Sequence, residues 1–162
     1  IEKSSNRYFF IDDPVMIKIE KSPKKEIEID LHPDFPEKGS RKFETIDKFY
    51  ITKSDFNELK DNKLYRLMEC LNFTKSKNKF IFHSSEYEIF KEKGEKIIHW
   101  LPYEKDLVSI EVVMPDGDAK KGLGEKILEK TKLGTILQFE RFGFCCLNKI
   151  EKEKLIFYFT HR

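Results

Sequence analysis

Glu26-Ile27-Glu28-Ile29-Asp30-Leu31 alternates strictly between charged and apolar residues. A period of two lays Ile27, Ile29 and Leu31 on one face of a β-strand and the acids on the other. The same period returns at Val15 to Ile19, Phe49 to Thr52, Phe80 to Phe82, Val108 to Met114, Ile136 to Phe139 and Leu155 to Phe159. These runs are rich in β-branched and aromatic residues, which suit a pleated, half-buried surface. Turn signals separate them: Pro23, the stretch from Pro33 to Gly39, Pro115-Asp116-Gly117 and Gly134. About ten short strands at roughly 8–14-residue spacing predict an all-β barrel or pair of barrels.

Helical signals are short. Thr52 or Ser54 can cap one or two turns running to Phe56. Gly124 to Lys132 is the best helix candidate, with Ile127 and Leu128 turned inward. Gly122-Leu123-Gly124 reads as a turn, too short for a nucleotide-binding loop. The charge-dense stretches Lys75 to Lys79 and Glu86 to Lys96 read as exposed hairpin loops. No internal repeat or low-complexity linker is present.

Composition narrows the class. With 15 Phe, 6 Tyr and 1 Trp in 162 residues, the chain has the apolar mass for a core, which excludes a disordered protein. No apolar run approaches the ~20 residues of a membrane-spanning helix. Lys and Arg number 31 against 29 acids, so the net charge is +2 and any nucleic-acid footprint has to be local. Three cysteines cannot all pair, which points to a reducing, cytoplasmic setting rather than a secreted disulfide scaffold. Cys145 and Cys146 are neighbours in a strand, so their side chains take opposite faces and at least one fills the core. The sequence opens at Ile1 without Met, signal peptide or transit-like stretch, and reads as a piece of a longer polypeptide.

Catalytic chemistry is missing from the pattern. His32, His83, His99 and His161 are scattered, and no Cys or His pair has metal-ligand spacing. No catalytic and no metal-binding residues are expected. One stretch does point to recognition: Gln138-Phe139-Glu140-Arg141-Phe142-Gly143-Phe144. It sets an amide, an acid and a guanidinium on a turn between two strands. Such groups read base edges in pairs of hydrogen bonds, and aromatic faces stack unpaired bases. The same residues also suit an ordinary turn with core phenylalanines.

Four segments together carry a resemblance. They are Asn6 to Val15 (NRYFFIDDPV), His32 to Arg41 (HPDFPEKGSR), His99-Trp100-Leu101-Pro102, and Gln138 to Phe144 (QFERFGF). In order and approximate spacing they resemble the C-terminal anticodon-binding region of archaeal-type glutamyl-tRNA synthetases, of the class I glutamyl/glutaminyl-tRNA synthetase family. The closing Phe157 to His161 is more similar to glutamyl than to glutaminyl enzymes.

The resemblance implies an all-β fold of two β-barrels with a few short helices. A proximal barrel of residues 1–56 plus 108–162 would be interrupted by a distal barrel of residues 57–107. It implies binding of the tRNA anticodon by Arg7, Gln138, Arg141 and Arg66, the last on a looser alignment within Leu64-Tyr65-Arg66-Leu67. Lysines from Lys120 to Lys132 are expected to attract phosphates. His99 and Trp100 are expected in the core. The implied partner is tRNA(Glu), with tRNA(Gln) open as a second and the enzyme's own catalytic body as a third. In such enzymes ATP and Mg2+ are handled by a separate N-terminal catalytic domain whose HIGH-like and KMSKS-like motifs do not occur here, so this piece is expected to be inactive alone. A glutaminyl-tRNA synthetase domain, or a protein-interaction β-domain with no RNA role, are the alternatives.

Overall fold

The computed structural model describes residues 2–162; Ile1, the first residue of the expected proximal unit, lies outside them. The strands in chain order begin with β1 (Arg7–Tyr8), β2 (Phe10–Asp12), β3 (Pro14–Glu20), β4 (Lys25–Asp30), β5 (Ser40–Thr45) and β6 (Lys48–Thr52). Helix α1 (Lys53–Glu58) leads to β7 (Leu64–Leu67), β8 (Leu71–Ser76) and β9 (Lys79–Ser84). Helix α2 (Tyr87–Lys93) is followed by β10 (Gly94–Ile98), β11 (Leu101–Pro102), β12 (Val108–Val113) and β13 (Ala119–Gly124). The chain ends with β14 (Ile136–Phe139), β15 (Gly143–Glu151) and β16 (Lys154–His161).

The fold is mostly β, as the period of two predicts, and it divides into two compact units. The first takes the segment ending at Asp13, Asp30–Arg41 and Glu104–Arg162. The second takes Pro14–Ile29 and Lys42–Tyr103. This division differs from the 1–56 plus 108–162 and 57–107 expectation. Residues 14–29 and 42–56 pack with the middle of the chain, because β3 pairs with β9 through Ile19 and Phe80, and β6 pairs with β11 through Tyr50 and Leu101.

In the first unit a seven-stranded sheet runs in the order β1-β14-β15-β16-β12-β13-β2. Its two outer strands, β1 and β2, are separated in sequence by Phe9 alone, so one residue links opposite ends of the sheet and nearly closes it into a barrel. The core inside is Phe10, Ile110, Val112, Leu128, Leu137, Phe139, Cys145, Leu147 and Phe157, among others. Phe139 sits at its centre, with ring centroids 5.2 Å from Phe10 and 5.1 Å from Phe157.

Gly122-Leu123-Gly124, expected as a turn, lies in β13 and pairs with Ile11 and its neighbours in β2. A methyl on Gly122 would run into the Ile11 carbonyl, so glycine is what lets the two backbones meet. The expected helix over Gly124 to Lys132 shrinks to a 3-10 turn, Lys126–Lys130. Leu128 fills the core as expected, but Ile127 is exposed.

The second unit is a mixed sheet in the order β10-β7-β8-β9-β3-β6-β11. Thr52 caps α1 by accepting the Asp55 N–H at 3.0 Å, which selects it over Ser54. Lys75 to Lys79 is the β8–β9 hairpin, as expected. Glu86 to Lys96 is not a loop: Tyr87–Lys93 is helical and Gly94–Ile98 is a strand. Phe90 is buried, and Gly94 comes close enough to its ring that a Cβ there would collide. Trp100 and His99 are buried, as expected, and the Trp100 Nε1–H donates to the Met68 carbonyl at 2.8 Å.

Cys145 is fully buried and Cys146, on the other face of β15, is half-buried. Burial pushes the Cys70 and Cys145 thiols up to about 12. Thiolate is the reactive form, so at pH 8 iodoacetamide is expected to label native protein once, at Cys146. Cys70 and Cys145 should label only after denaturation. Peptide mass spectrometry checks this, and native labelling of Cys70 or Cys145 would contradict the packing.

Candidate nucleic-acid interface

The stretch Gln138 to Phe144 is the β14–β15 turn. Phe139 ends β14, Gly143 opens β15, and the Phe142 N–H closes the turn on the Phe139 carbonyl at 3.0 Å. Arg141 sits at its tip with φ of +61°, the left-handed region that a long side chain enters only when its surroundings hold it there. Phe139 is buried while Arg141 is exposed and Gln138 half-exposed. The turn therefore drives the Phe139 and Phe142 rings toward the core and its polar groups outward.

Strand register aligns the site. Arg7 is paired with Gln138, Gln138 with Phe144, and Phe144 with His161. Cross-strand partners share a face, so a guanidinium, an amide, a ring and an imidazole form one row. Strand spacing of about 4.8 Å makes that row about 14 Å long. The Phe144 and His161 rings are stacked, with centroids 4.7 Å apart and planes 31° apart. Glu140, two residues beyond Gln138, has its Oε1 4.0 Å from Arg7 Nη1. Two buried polar atoms on consecutive residues, Asn6 Oδ1 and Arg7 Nε, have no hydrogen-bond partner.

Of the four expected readers, Arg7, Gln138 and Arg141 come together in the first unit. Arg66 belongs to the second and is buried. Its Nη1 donates to Asn72 Oδ1 at 3.0 Å and to the Ser85 carbonyl at 2.9 Å. Asn72 is in turn fixed by donating to Ser84 Oγ and the Glu86 carbonyl. The exposed Tyr87 ring lies 5.8 Å from the Arg66 guanidinium carbon, in cation–π range.

What keeps Arg7 in register is a buried ion pair that the sequence reading missed. Arg41 and Glu125 are 3% exposed each, far drier than ordinary surface charges. Arg41 Nη2 donates to Glu125 Oε2 at 3.0 Å and its Nε to Oε1 at 3.1 Å, a two-pronged contact. Its Nη1 donates to the Asp30 carbonyl at 2.8 Å. Glu125 Oε2 also accepts the Phe9 N–H at 2.6 Å. The guanidinium lies over the Phe9 and Tyr8 rings, at 5.1 and 5.7 Å. Burial pushes the Glu125 carboxyl above its ordinary range, while Arg41 and the Phe9 amide pull it back. His32, also buried, accepts the Asp34 N–H on Nδ1, so its Nε2–H is the one that donates to the Lys3 carbonyl. Arg41 and His32 stand in a segment that the sequence reading singled out without giving them a role. Glu125 carried no signal beyond following Gly124.

Residues 5–89 match the family described as tRNA synthetases class I (E and Q), anti-codon binding domain, and residues 97–148 match a second family of the same description. The glutamate–tRNA ligase of Methanocaldococcus jannaschii is 38% identical over 166 residues, and that of Pyrococcus abyssi 39% over 171. The Pyrococcus furiosus glutamate–tRNA ligase is likewise 39% identical. Each alignment covers 100% of this chain and 29% of the ligase. The chain belongs to the anticodon-binding domain family of the class I glutamate and glutamine tRNA synthetases.

Glu125→Ala would leave Arg41 charged and dry and the Phe9 amide unpaired. Removing one partner of a buried pair costs about 3–5 kcal/mol. A lower urea midpoint is expected, and the cross-strand NMR signals between Arg7 and Gln138 should disappear. A variant within about 0.5 kcal/mol of wild type would show that the pair is not what holds β1.

Proposed function

We propose that the chain reads the anticodon of tRNA(Glu) as part of a glutamate–tRNA ligase, acting in the cytoplasm. The observation that supports this is the row Arg7–Gln138–Phe144–His161 beside Arg141. It offers paired hydrogen-bond donors and acceptors next to a stacked ring surface, the combination that single-stranded RNA loops require. In this reading Arg7, Gln138 and Arg141 read base edges, and the Phe144–His161 stack carries a neighbouring base. The partnerless Arg7 Nε and Asn6 Oδ1 fit a surface completed by a polar ligand. In the second unit Arg66 supports the exposed Tyr87 ring as a platform on which a base can stack. The nearly closed first unit corresponds to the proximal barrel and the second to the distal one.

The relatives are named as ligases, and the chain spans 29% of their length. Joining glutamate to tRNA with ATP and Mg2+ belongs, in this proposal, to the longer polypeptide. The chain itself binds rather than catalyses.

Two titrations test the reading with RNA stem-loops. Deleting a bidentate base interaction costs about 1–3 kcal/mol of discrimination. Gln138→Ala and Arg141→Ala are therefore expected to weaken a glutamate-anticodon loop more than a scrambled one. His161→Ala, which removes the stacked imidazole together with its contact to the Arg162 carbonyl, should weaken both alike. Equal weakening of both loops by Gln138→Ala and Arg141→Ala would reduce these residues to scaffold.

Glutamate and glutamine anticodons share their middle uridine and differ at the third base, cytidine against guanosine. Arg141 can donate to an acceptor on either base, and the weak Arg7–Glu140 pair leaves Glu140 free to serve Arg7, Arg141 or a base, so no acceptor is reserved for cytidine. Exchanging the third base should change affinity by less than about tenfold, or about 1.4 kcal/mol. A larger preference for the glutamate loop would mark a dedicated glutamate reader.

A further inference from the structure

We propose that a basic groove in the first unit binds the ribose-phosphate backbone of the RNA strand whose bases the Arg7–Gln138 row reads. The inference rests on the anticodon reading above and adds a site to it. The groove has a volume of about 560 Å3. It is lined by Lys38, Lys130 and Lys132 and by Ser4, Thr131 and Thr135, and among the described side chains no carboxylate lines it. Among the described side chains that is a local run of three positive charges in a chain whose bases and acids nearly cancel, 31 against 29.

The lysines of this region divide into two groups. Lys120 pairs with Asp118 and Lys126 with Asp106, each at 3.9 Å. Among the described residues no carboxylate pairs with Lys130 or Lys132. Lys38 donates to the Ser4 carbonyl, which holds its ammonium at the wall without cancelling its charge. Ammonium groups attract phosphate as point charges, and hydroxyls serve phosphate oxygens and ribose alike.

Position fixes the occupant. Ile136 lines the groove, and it stands two residues before Gln138 in β14, on the same face of that strand. Two residues of a strand rise about 6.6 Å, so the groove and the reading row adjoin along that face of β14. A strand presenting a base to Arg7 and Gln138 brings its adjoining phosphates to the three lysines.

Fluorescence-anisotropy titrations of a glutamate-anticodon stem-loop and a scrambled loop, from about 50 to 200 mM KCl, test this on the chain as it stands. On single-stranded RNA, each phosphate that a lysine ceases to neutralise lowers the slope of log K against log salt by about 0.7. Lys130→Ala/Lys132→Ala should flatten it by about 1.4 for both loops and leave their affinity ratio unchanged. Lys130→Arg/Lys132→Arg should restore the slope. Lys120→Ala/Lys126→Ala, which removes the same charge outside the groove, should keep it. An unchanged slope in the groove variant, or equal flattening by both alanine pairs, overturns the site. If wild type prefers neither loop, the anticodon reading falls, and the slope comparison still decides the groove.

Discussion

The Phe9 amide is where this fold is most exposed to failure. A sheet that closes on itself through consecutive strands must step from one of its ends to the other, and here the step is one residue. The Phe9 N–H falls between the two ends, and Phe9 is 0% exposed, so water cannot serve it. An unmet buried amide costs about 1–3 kcal/mol. Glu125 Oε2 takes the bond. The solution creates a larger problem, because a dry carboxylate is costlier than a dry amide. Arg41 answers it with two donors, and its remaining Nη1 finds the Asp30 carbonyl. Each group is required by the one before it.

That sequence of requirements explains why segments so distant in the chain form one body. Phe9 and Glu125 are 116 residues apart, and Arg41 and Glu125 are 84 apart. Bringing such segments together is entropically expensive and slow, so the contact that rewards it has to be strong and specific. A buried ion pair is a poor source of net stability, because desolvation offsets much of its attraction. Its use here is register. Were the Phe9 amide bonded elsewhere, β1 could slip along β14, and a slip of one residue turns every side chain to the other face.

The same physics separates what the sequence discloses from what it hides. Ile27 and Ile29 of β4 announce themselves by alternation, because their one-sided burial is written in neighbouring residues. The 87–93 helix does not: its burial rests on Phe90 amid Glu and Lys, too few apolar residues to set a period. Gly122 and Gly124 look like turn formers, since nothing local shows that another backbone lies against them. The proposed readers Arg7, Gln138 and Arg141 come from family resemblance, while the alignment of Arg7 and Gln138 with Phe144 and His161 depends on long-range register. Arg66 has the residue type of a reader and the burial of a support. Arg41 and Glu125 read as two more charges in a chain of 60, from 31 bases and 29 acids. Only the dryness of their surroundings sets them apart.

A two-residue strand cannot fix its own geometry, and β1 is Arg7 and Tyr8 alone. Its main-chain bonds are few: the Arg7 N–H to the Leu31 carbonyl at 2.7 Å, and the Gln138 and Glu140 amides to the carbonyls of Asn6 and Tyr8 at 2.9 Å. Recognition by paired hydrogen bonds fails when a donor is misplaced by about 1 Å. The placement of Arg7 therefore comes from behind, where Arg41 covers the Tyr8 and Phe9 rings and Glu125 holds the next amide. In front, the Arg7 guanidinium meets Glu140 at 4.0 Å, with both side chains partly in water. A pair so long and so wet is weak. In the proposed reading an RNA base displaces it at little cost, while the dry pair behind keeps the backbone from following. Rigid attachment and an exchangeable head are what the proposed reading asks of Arg7, and the strong and weak ion pairs divide those two tasks.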